Sequence, residues 1–247
     1  MLIVDDQKTW PKDIIKQLEK DSVIQLLKSN NFYSNIKDES DICDIVADVK
    51  KYASSVGVAV YHCTKQLPER PYKTIGLRIL NIERHHSDFL DYICERPEVD
   101  KSCFDRIKKA LEEWNDREQR YRREDMIYFC IERNLVLDYG TKDFFDYYGG
   151  EAIYMPFYNE GMEDIKRILA SIGEPVVVEA HLSVSDLETY GQTYGENRFG
   201  QSVIECFAES INPDFCIQGL EGYYKKDIPP DKIIEVYPYE KFKEMYS

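Results

Sequence analysis

The sequence predicts an α+β fold, with a helical segment over residues 1–56 and a mixed domain over residues 57–247. Three observations carry that prediction. Apolar residues recur at helical spacing through the first fifth of the chain, at Ile14, Ile15, Leu18, Ile24 and Leu27, then at Ile42, Ile45, Val46, Val49 and Tyr52. β-rich runs begin only after residue 56. From there, short strands and helical stripes follow one another at unequal spacing, as segregated helices and strands do.

Each element has its own signal. Trp10-Pro11 opens the first helix, and Ser40 has the character of an N-cap for the stripe that stops near Gly57. This segment carries no visible chemistry and reads as a lid or cap. Residues 58–63 form a buried strand, residues 67–72 with two prolines form a loop, and residues 74–80 are expected as a second short strand. A helix is expected over 88–95, ended by Pro97. The longest is expected over 102–125, with Phe104, Ile107, Leu111, Trp114 and Tyr121 on one face. Beyond it come a strand at 126–131, a short helix at 142–148 before Gly149-Gly150, and a helical stripe from Met162 to Ile172 stopped by Gly173. A strand at 176–182, a helix at 201–210, strands at 215–218, 222–225 and 233–237, and a closing helix at 241–246 complete the order.

Composition narrows the function classes. The 247 residues are 43% hydrophobic and 32% charged, which suits a globular chain rather than a disordered one. No run approaches the roughly 18 apolar residues of a membrane span. Charges interrupt the first twenty residues at Asp5, Asp6, Lys8, Lys12 and Asp13, so no secretory leader is expected and the expected location is cytoplasmic. The 32 basic and 46 acidic residues give −14, which repels phosphate backbones over the surface as a whole. The arginines at 117, 120, 122 and 123 do not reverse this. Residues 103–125 hold as many acidic as basic side chains, the pattern of a solvated helix face. The seven cysteines form no C-x-x-C pair, and an odd number cannot all pair internally. Reduced and mostly buried thiols are expected.

Several chemistries lack their residues. Of the four histidines, His85 and His86 are adjacent and diverge on any regular element, so they suit a surface pair better than a shared metal. No metal site is expected. His62 and Cys63 are likewise neighbours on a strand and point to opposite faces, which excludes them as a base–nucleophile pair. Neither the P-loop nor the G-x-G-x-x-G pattern occurs.

What remains is an ordered series. Tyr61-His62-Cys63-Thr64 ends an apolar strand, and Gly76-Leu77-Arg78 follows a proline-containing loop. Tyr128 lies on a later strand. Tyr147-Tyr148-Gly149-Gly150-Glu151 follows a short helix. The Val-rich strand carries Glu179. Glu221 sits in Gly219-Leu220-Glu221-Gly222, shortly before Asp227-Ile228-Pro229-Pro230-Asp231-Lys232-Ile233.

That order, across residues 58–238, resembles the ADP-ribosyltransferase superfamily of the His–Tyr–Glu type. The resemblance implies a split, mostly antiparallel sheet with flanking helices and an NAD-binding cleft. It implies NAD as substrate, with cleavage of the nicotinamide–ribose bond and transfer of ADP-ribose to a macromolecule. Such chemistry needs a carboxylate for an oxocarbenium-like state and aromatic faces for the nicotinamide ring. The resemblance gives His62 the ribose and Cys63 a backbone contact to the nicotinamide amide, with Thr64 supporting the strand end. It gives Tyr128 or Tyr148 the nicotinamide ring, Arg78 a phosphate, and Glu221 the catalytic role. Glu151 and Glu179 are rival carboxylates. Gly219, two before Glu221, departs from the Gln-x-Glu or Glu-x-Glu of many members.

Relatives of this kind often serve as toxins, effectors or defence proteins, which implies a restraining partner. The acidic surface favours a protein acceptor and leaves RNA or DNA open. Two alternatives stand beside this expectation: a catalytically inert α+β interaction module, and an NAD hydrolase without a macromolecular acceptor.

Overall fold

Apolar residues every three or four positions make Ser40–Val56 a helix whose inner side is Ile42, Ile45, Val46, Val49 and Ala53. Uninterrupted β-branched and small apolar residues then make Val58–Gln66 a strand whose first half is buried on both faces. The computed structural model describes residues 1–28, 40–114, 120–189, 198–212, 214, 215, 217 and 219–246.

Among the described residues the helices are α1 (Lys12–Leu18), α2 (Asp21–Leu27), α3 (Ser40–Val56), α4 (Tyr72–Ile75), α5 (Ile82–Ile93) and α6 (Lys101–Glu113), then α7 (Arg133–Val136), α8 (Lys142–Asp146), α9 (Glu151–Tyr154), α10 (Glu163–Ser171), α11 (Arg198–Ile211) and α12 (Tyr239–Tyr246). The strands are β1 (Val58–Gln66), β2 (Ile127–Cys130), β3 (Glu174–Leu182), β4 (Leu187–Thr189), β5 (Glu221–Tyr224) and β6 (Ile233–Pro238). They form one six-stranded antiparallel sheet in the order β4-β5-β2-β1-β3-β6. In the β1–β2 pair, Tyr61 stands opposite Cys130. The fold is α+β, as the sequence predicts.

The chain divides into two compact units. The first comprises Met1–Tyr61, Tyr128–Leu135 and Ala180–Tyr223. Its helix α3 packs on α1 and α11, burying Val49, Val203 and Phe207. The His181 ring nitrogen Nε2 meets the Val56 carbonyl at 2.8 Å and joins the end of α3 to β3. The second comprises His62–Ile127, Val136–Glu179 and Tyr224–Ser247. Its apolar cluster includes Phe89 and Ile93 of α5, Ile107 and Leu111 of α6, and Phe157 and Leu169.

Several expected elements differ. Residues 1–56 are not helical throughout, because Leu2 bridges Val58 in parallel and the Leu2 amide donates to Gly57 O at 2.9 Å. By chain contacts the segment groups with Tyr128–Leu135 and Ala180–Tyr223. The expected strand at 74–80 is the helical turn α4 followed by a single antiparallel bridge between Leu77 and Ile228. Helix α5 starts earlier than expected because Asn81 caps it, accepting from the Arg84 amide at 2.9 Å. The expected long helix ends at Glu113. Residues 115–119 lie outside the described residues, and Tyr121, expected on the apolar face, is 81% exposed. Phe215 and Ile217 are not in a strand, and Cys216 and Gln218 lie outside the described residues. Of the six described cysteines, Cys63, Cys130 and Cys206 are buried, Cys103 is half-buried, and Cys43 on α3 and Cys94 just after α5 are exposed.

Candidate functional site

The expected site residues fall in both units. His62, Cys63, Thr64, Arg78, Tyr148 and Glu151 belong to the second, and Tyr128 and Glu221 to the first.

In the second unit, burial alternates along β1: Cys63 and Lys65 are buried, while His62, Thr64 and Gln66 are half-buried on the opposite side. Thr64 Oγ1 lies 3.5 Å from the Tyr72 hydroxyl, and the Tyr72 amide donates to Gln66 Oε1 at 2.8 Å. Helix α4 is thus folded back onto the end of β1. Burial pushes the Tyr72 hydroxyl above its ordinary range, partly offset by Thr64. Lys65 is buried with its ammonium on the Ala170 carbonyl at 2.5 Å, near the C-terminus of α10, where the helix dipole favours a cation. Burial nevertheless lowers its pKa, against the pull of Glu174 and Asp146.

The Gly76-Leu77-Arg78 and Asp227-Ile228-Pro229-Pro230 motifs meet. Leu77 N donates to Ile228 O at 2.9 Å and Ile228 N returns to Leu77 O at 2.7 Å. Ile79 N donates to Asp227 Oδ1 at 2.9 Å. Gly76 has φ +72°, and a Cβ there would overlap the Ile228 carbonyl oxygen, so only glycine permits this approach. The Arg78 side chain is exposed between two anchored neighbours.

Tyr148 and Glu151 flank Gly149-Gly150. The Tyr148 ring stacks on Tyr92 at 6.1 Å and lies 6.3 Å from Phe89, against the apolar cluster. Burial raises its hydroxyl pKa to about 12. Glu151 opens α9 and accepts from Arg123 Nε at 2.6 Å. The adjacent histidines, expected on the surface, are half-buried on α5 and serve this same turn. His85 Nε2 lies 2.8 Å from Gly149 O and His86 Nε2 lies 2.9 Å from Ala152 O. As ring nitrogens facing carbonyl oxygens, both donate. One hundred degrees apart on a helix, two rings cannot share a metal, yet they can reach successive parts of one turn. Glu179, the third carboxylate, is buried and accepts from the Tyr237 hydroxyl at 3.0 Å.

In the first unit, β5 and β2 are sheet neighbours and place Tyr223 against Tyr128, with ring centroids 5.7 Å apart. Residues two apart on a strand share a face, so Glu221 lies on the face of Tyr223 and Tyr128, and it is exposed. Gly222 points the other way, and a Cβ there would stand 3.0 Å from Leu187 Cδ1 and 3.2 Å from Ile131 Cδ1. The Tyr223 hydroxyl donates to Glu188 Oε2 at 2.6 Å.

The approach to β5 is fixed from below. Leu220 N donates to Glu132 Oε2 at 3.0 Å, and Ile131 N donates to Leu220 O at 2.9 Å. Glu132 is 2% exposed. Gly219 takes φ +62°, a conformation that disfavours Gln or Glu, so the departure two positions before Glu221 has a backbone cause.

Sequence reasoning missed Glu132, Glu188, Tyr223 and Asp227. Tyr223 and Asp227 carried a signal, standing beside Glu221 and in the Ile228-Pro229-Pro230 motif; Glu132 and Glu188 are ordinary residues until the strands assemble. No cluster of three or more metal-ligating side chains occurs among the described residues, and no described helix is long and apolar enough to cross a membrane.

No family model, curated protein or solved structure matches this chain.

Proposed function

We propose that this chain is an NAD-consuming ADP-ribosyltransferase that cleaves the nicotinamide–ribose bond and passes ADP-ribose to a macromolecular acceptor. The observation that supports this reading most is the order of the sheet. Within the first unit, the strands bearing Tyr128 and Glu221 lie far apart in sequence, yet β2 and β5 are neighbours, with Glu221 on the face where Tyr223 meets Tyr128.

In this reading Glu221 stabilises the positive charge that grows on the ribose as nicotinamide leaves with the bonding electron pair. Of the two rival carboxylates, Glu151 is held by Arg123 and Glu179 is buried beside Tyr237, whereas Glu221 is exposed. His62 orients the ribose, Cys63 offers its backbone to the nicotinamide amide, and Thr64 holds the strand end. Tyr128, paired with Tyr223, offers an aromatic face to nicotinamide. Arg78 meets a phosphate of NAD. The net charge of −14 favours a protein acceptor, and a toxin, effector or defence role with a restraining partner fits the same reading.

The test is nicotinamide release from NAD by the purified protein beside His62→Ala and Glu221→Gln. A loss of about a hundredfold or more in both folded variants is expected. Release without transfer to any protein or nucleic acid would make the chain an NAD hydrolase.

A second reading is an inert interaction module on the same α+β fold. It is favoured by Tyr148, whose ring is packed between Tyr92 and Phe89 rather than presented to a ligand. A folded wild type that neither binds NAD nor releases nicotinamide would decide for it.

A further inference from the structure

Resting on the NAD reading, in which Arg78 meets a phosphate of the dinucleotide, we propose that Asp227 is a positioning residue for Arg78. The segment around Arg78 is tied at three successive backbone positions besides its own. Leu77 exchanges both hydrogen bonds with Ile228, Ile79 N donates to Asp227 Oδ1 at 2.9 Å, and Leu80 N donates to Met126 O at 3.2 Å. Leu80 O in turn accepts from Asp125 N at 2.8 Å. Arg78 therefore projects from a backbone held on both sides, although it lies in a segment with little regular structure.

Its side chain is exposed and forms no hydrogen bond or ion pair among the described residues. Asp227 Oδ1 instead holds the amide of Ile79, the residue that follows Arg78. A guanidinium on a held backbone loses less freedom on meeting phosphate than one on a loose loop, and its planar donors match phosphate oxygens.

The sign of one substitution separates positioning from plain electrostatics. Removing a carboxylate beside an anion site strengthens anion binding if only charge matters. Removing the acceptor that holds Ile79 weakens it if position matters. Asp227→Ala makes both changes, whereas Asp227→Asn removes the charge and keeps an oxygen for the Ile79 amide.

The experiment is calorimetric titration of the full chain with NAD, using wild type, Arg78→Ala, Asp227→Ala, Asp227→Asn and the Arg78→Ala/Asp227→Ala double variant. Arg78→Ala is expected to weaken binding about tenfold, the scale of one charge-assisted contact. Asp227→Ala is expected to weaken it about threefold or more, Asp227→Asn to bind at least as tightly as wild type, and the double variant to be no weaker than Arg78→Ala alone. NAD binding by Asp227→Ala at or above wild-type affinity, with Arg78→Ala weakened, overturns the positioning role and leaves the NAD reading intact. Wild-type affinity in Arg78→Ala overturns the phosphate contact. A wild type that does not bind NAD overturns the NAD reading and this proposal together. If Asp227→Ala does not fold, Asp227→Asn decides alone, and weaker binding by it overturns the proposal.

Discussion

Glu132 and Leu220 are joined by a hydrogen bond of 3.0 Å from the Leu220 amide to a carboxylate that is 2% exposed, one residue before Glu221. A buried amide that loses its acceptor keeps the desolvation cost and gains nothing back. Glu132→Ala is expected to lose about 1–3 kcal/mol of stability, and Glu132→Gln, which retains an oxygen, to lose less. Urea midpoints of the two variants check the order. Equal losses would show that the Leu220 contact contributes nothing particular.

The pair of Arg123 and Glu151 separates structural from catalytic carboxylates. Both residues are half-buried and meet at 2.6 Å. Glu151→Gln is expected to cost about 1–2 kcal/mol, in the range of hydrogen bonds to charged groups. On the NAD reading it retains most nicotinamide release, whereas Glu221→Gln does not. Release assays on both variants, corrected for the folded fraction, would reassign the catalytic role if Glu151→Gln were the dead one.

His85 and His86 make stability sensitive to mild acid. Burial lowers the pKa of both rings, and for His86 the neighbouring His85 and Arg120 lower it further. The carbonyls of Gly149 and Ala152, and the carboxylates of Asp88 and Glu83, pull the other way without prevailing. The folded state therefore keeps the rings neutral where the unfolded chain takes up protons, near its ordinary pKa of about 6.5. Their contribution is fully present above that value and is lost as pH falls below it toward the folded pKa values. Urea midpoints should drop between about pH 7.5 and about pH 5, and the drop should shrink in His85→Gln/His86→Gln. An unchanged slope in the double variant would place the acid sensitivity elsewhere.

Gly76 tests the contact between Leu77 and Ile228 by a different route. A side chain there meets the Ile228 carbonyl and must also adopt φ +72°. Gly76→Ala is expected to cost about 1–3 kcal/mol and to raise hydrogen exchange at the Leu77, Ile79 and Ile228 amides. Protection unchanged from wild type would mean that this contact can shift to accommodate a methyl group.

Local pattern determined much of what the chain became. The stripe from Ile42 to Ala53 and the run from Val58 to Cys63 are a helix and a strand because side-chain periodicity alone decides which faces can be buried. The α+β class and the strands bearing His62 and Tyr128 were legible for the same reason, whereas the strand expected at 222–225 starts one residue earlier, at Glu221. Other features came only with tertiary contact. Residues 74–80 look β-prone, yet Gly76 is turned by the close approach of Ile228, some 150 residues away. His85 and His86 look like a surface pair until the Gly149-Gly150 turn supplies their acceptors. Glu132 has no distinguishing neighbours in sequence, and its role exists only because Leu220 is brought to it. Periodicity is a property of a dozen residues, whereas the partner of a buried polar group is chosen by the whole chain. That is why the sequence by itself determined the elements of this protein, and only the tertiary structure decided which of their side chains act together.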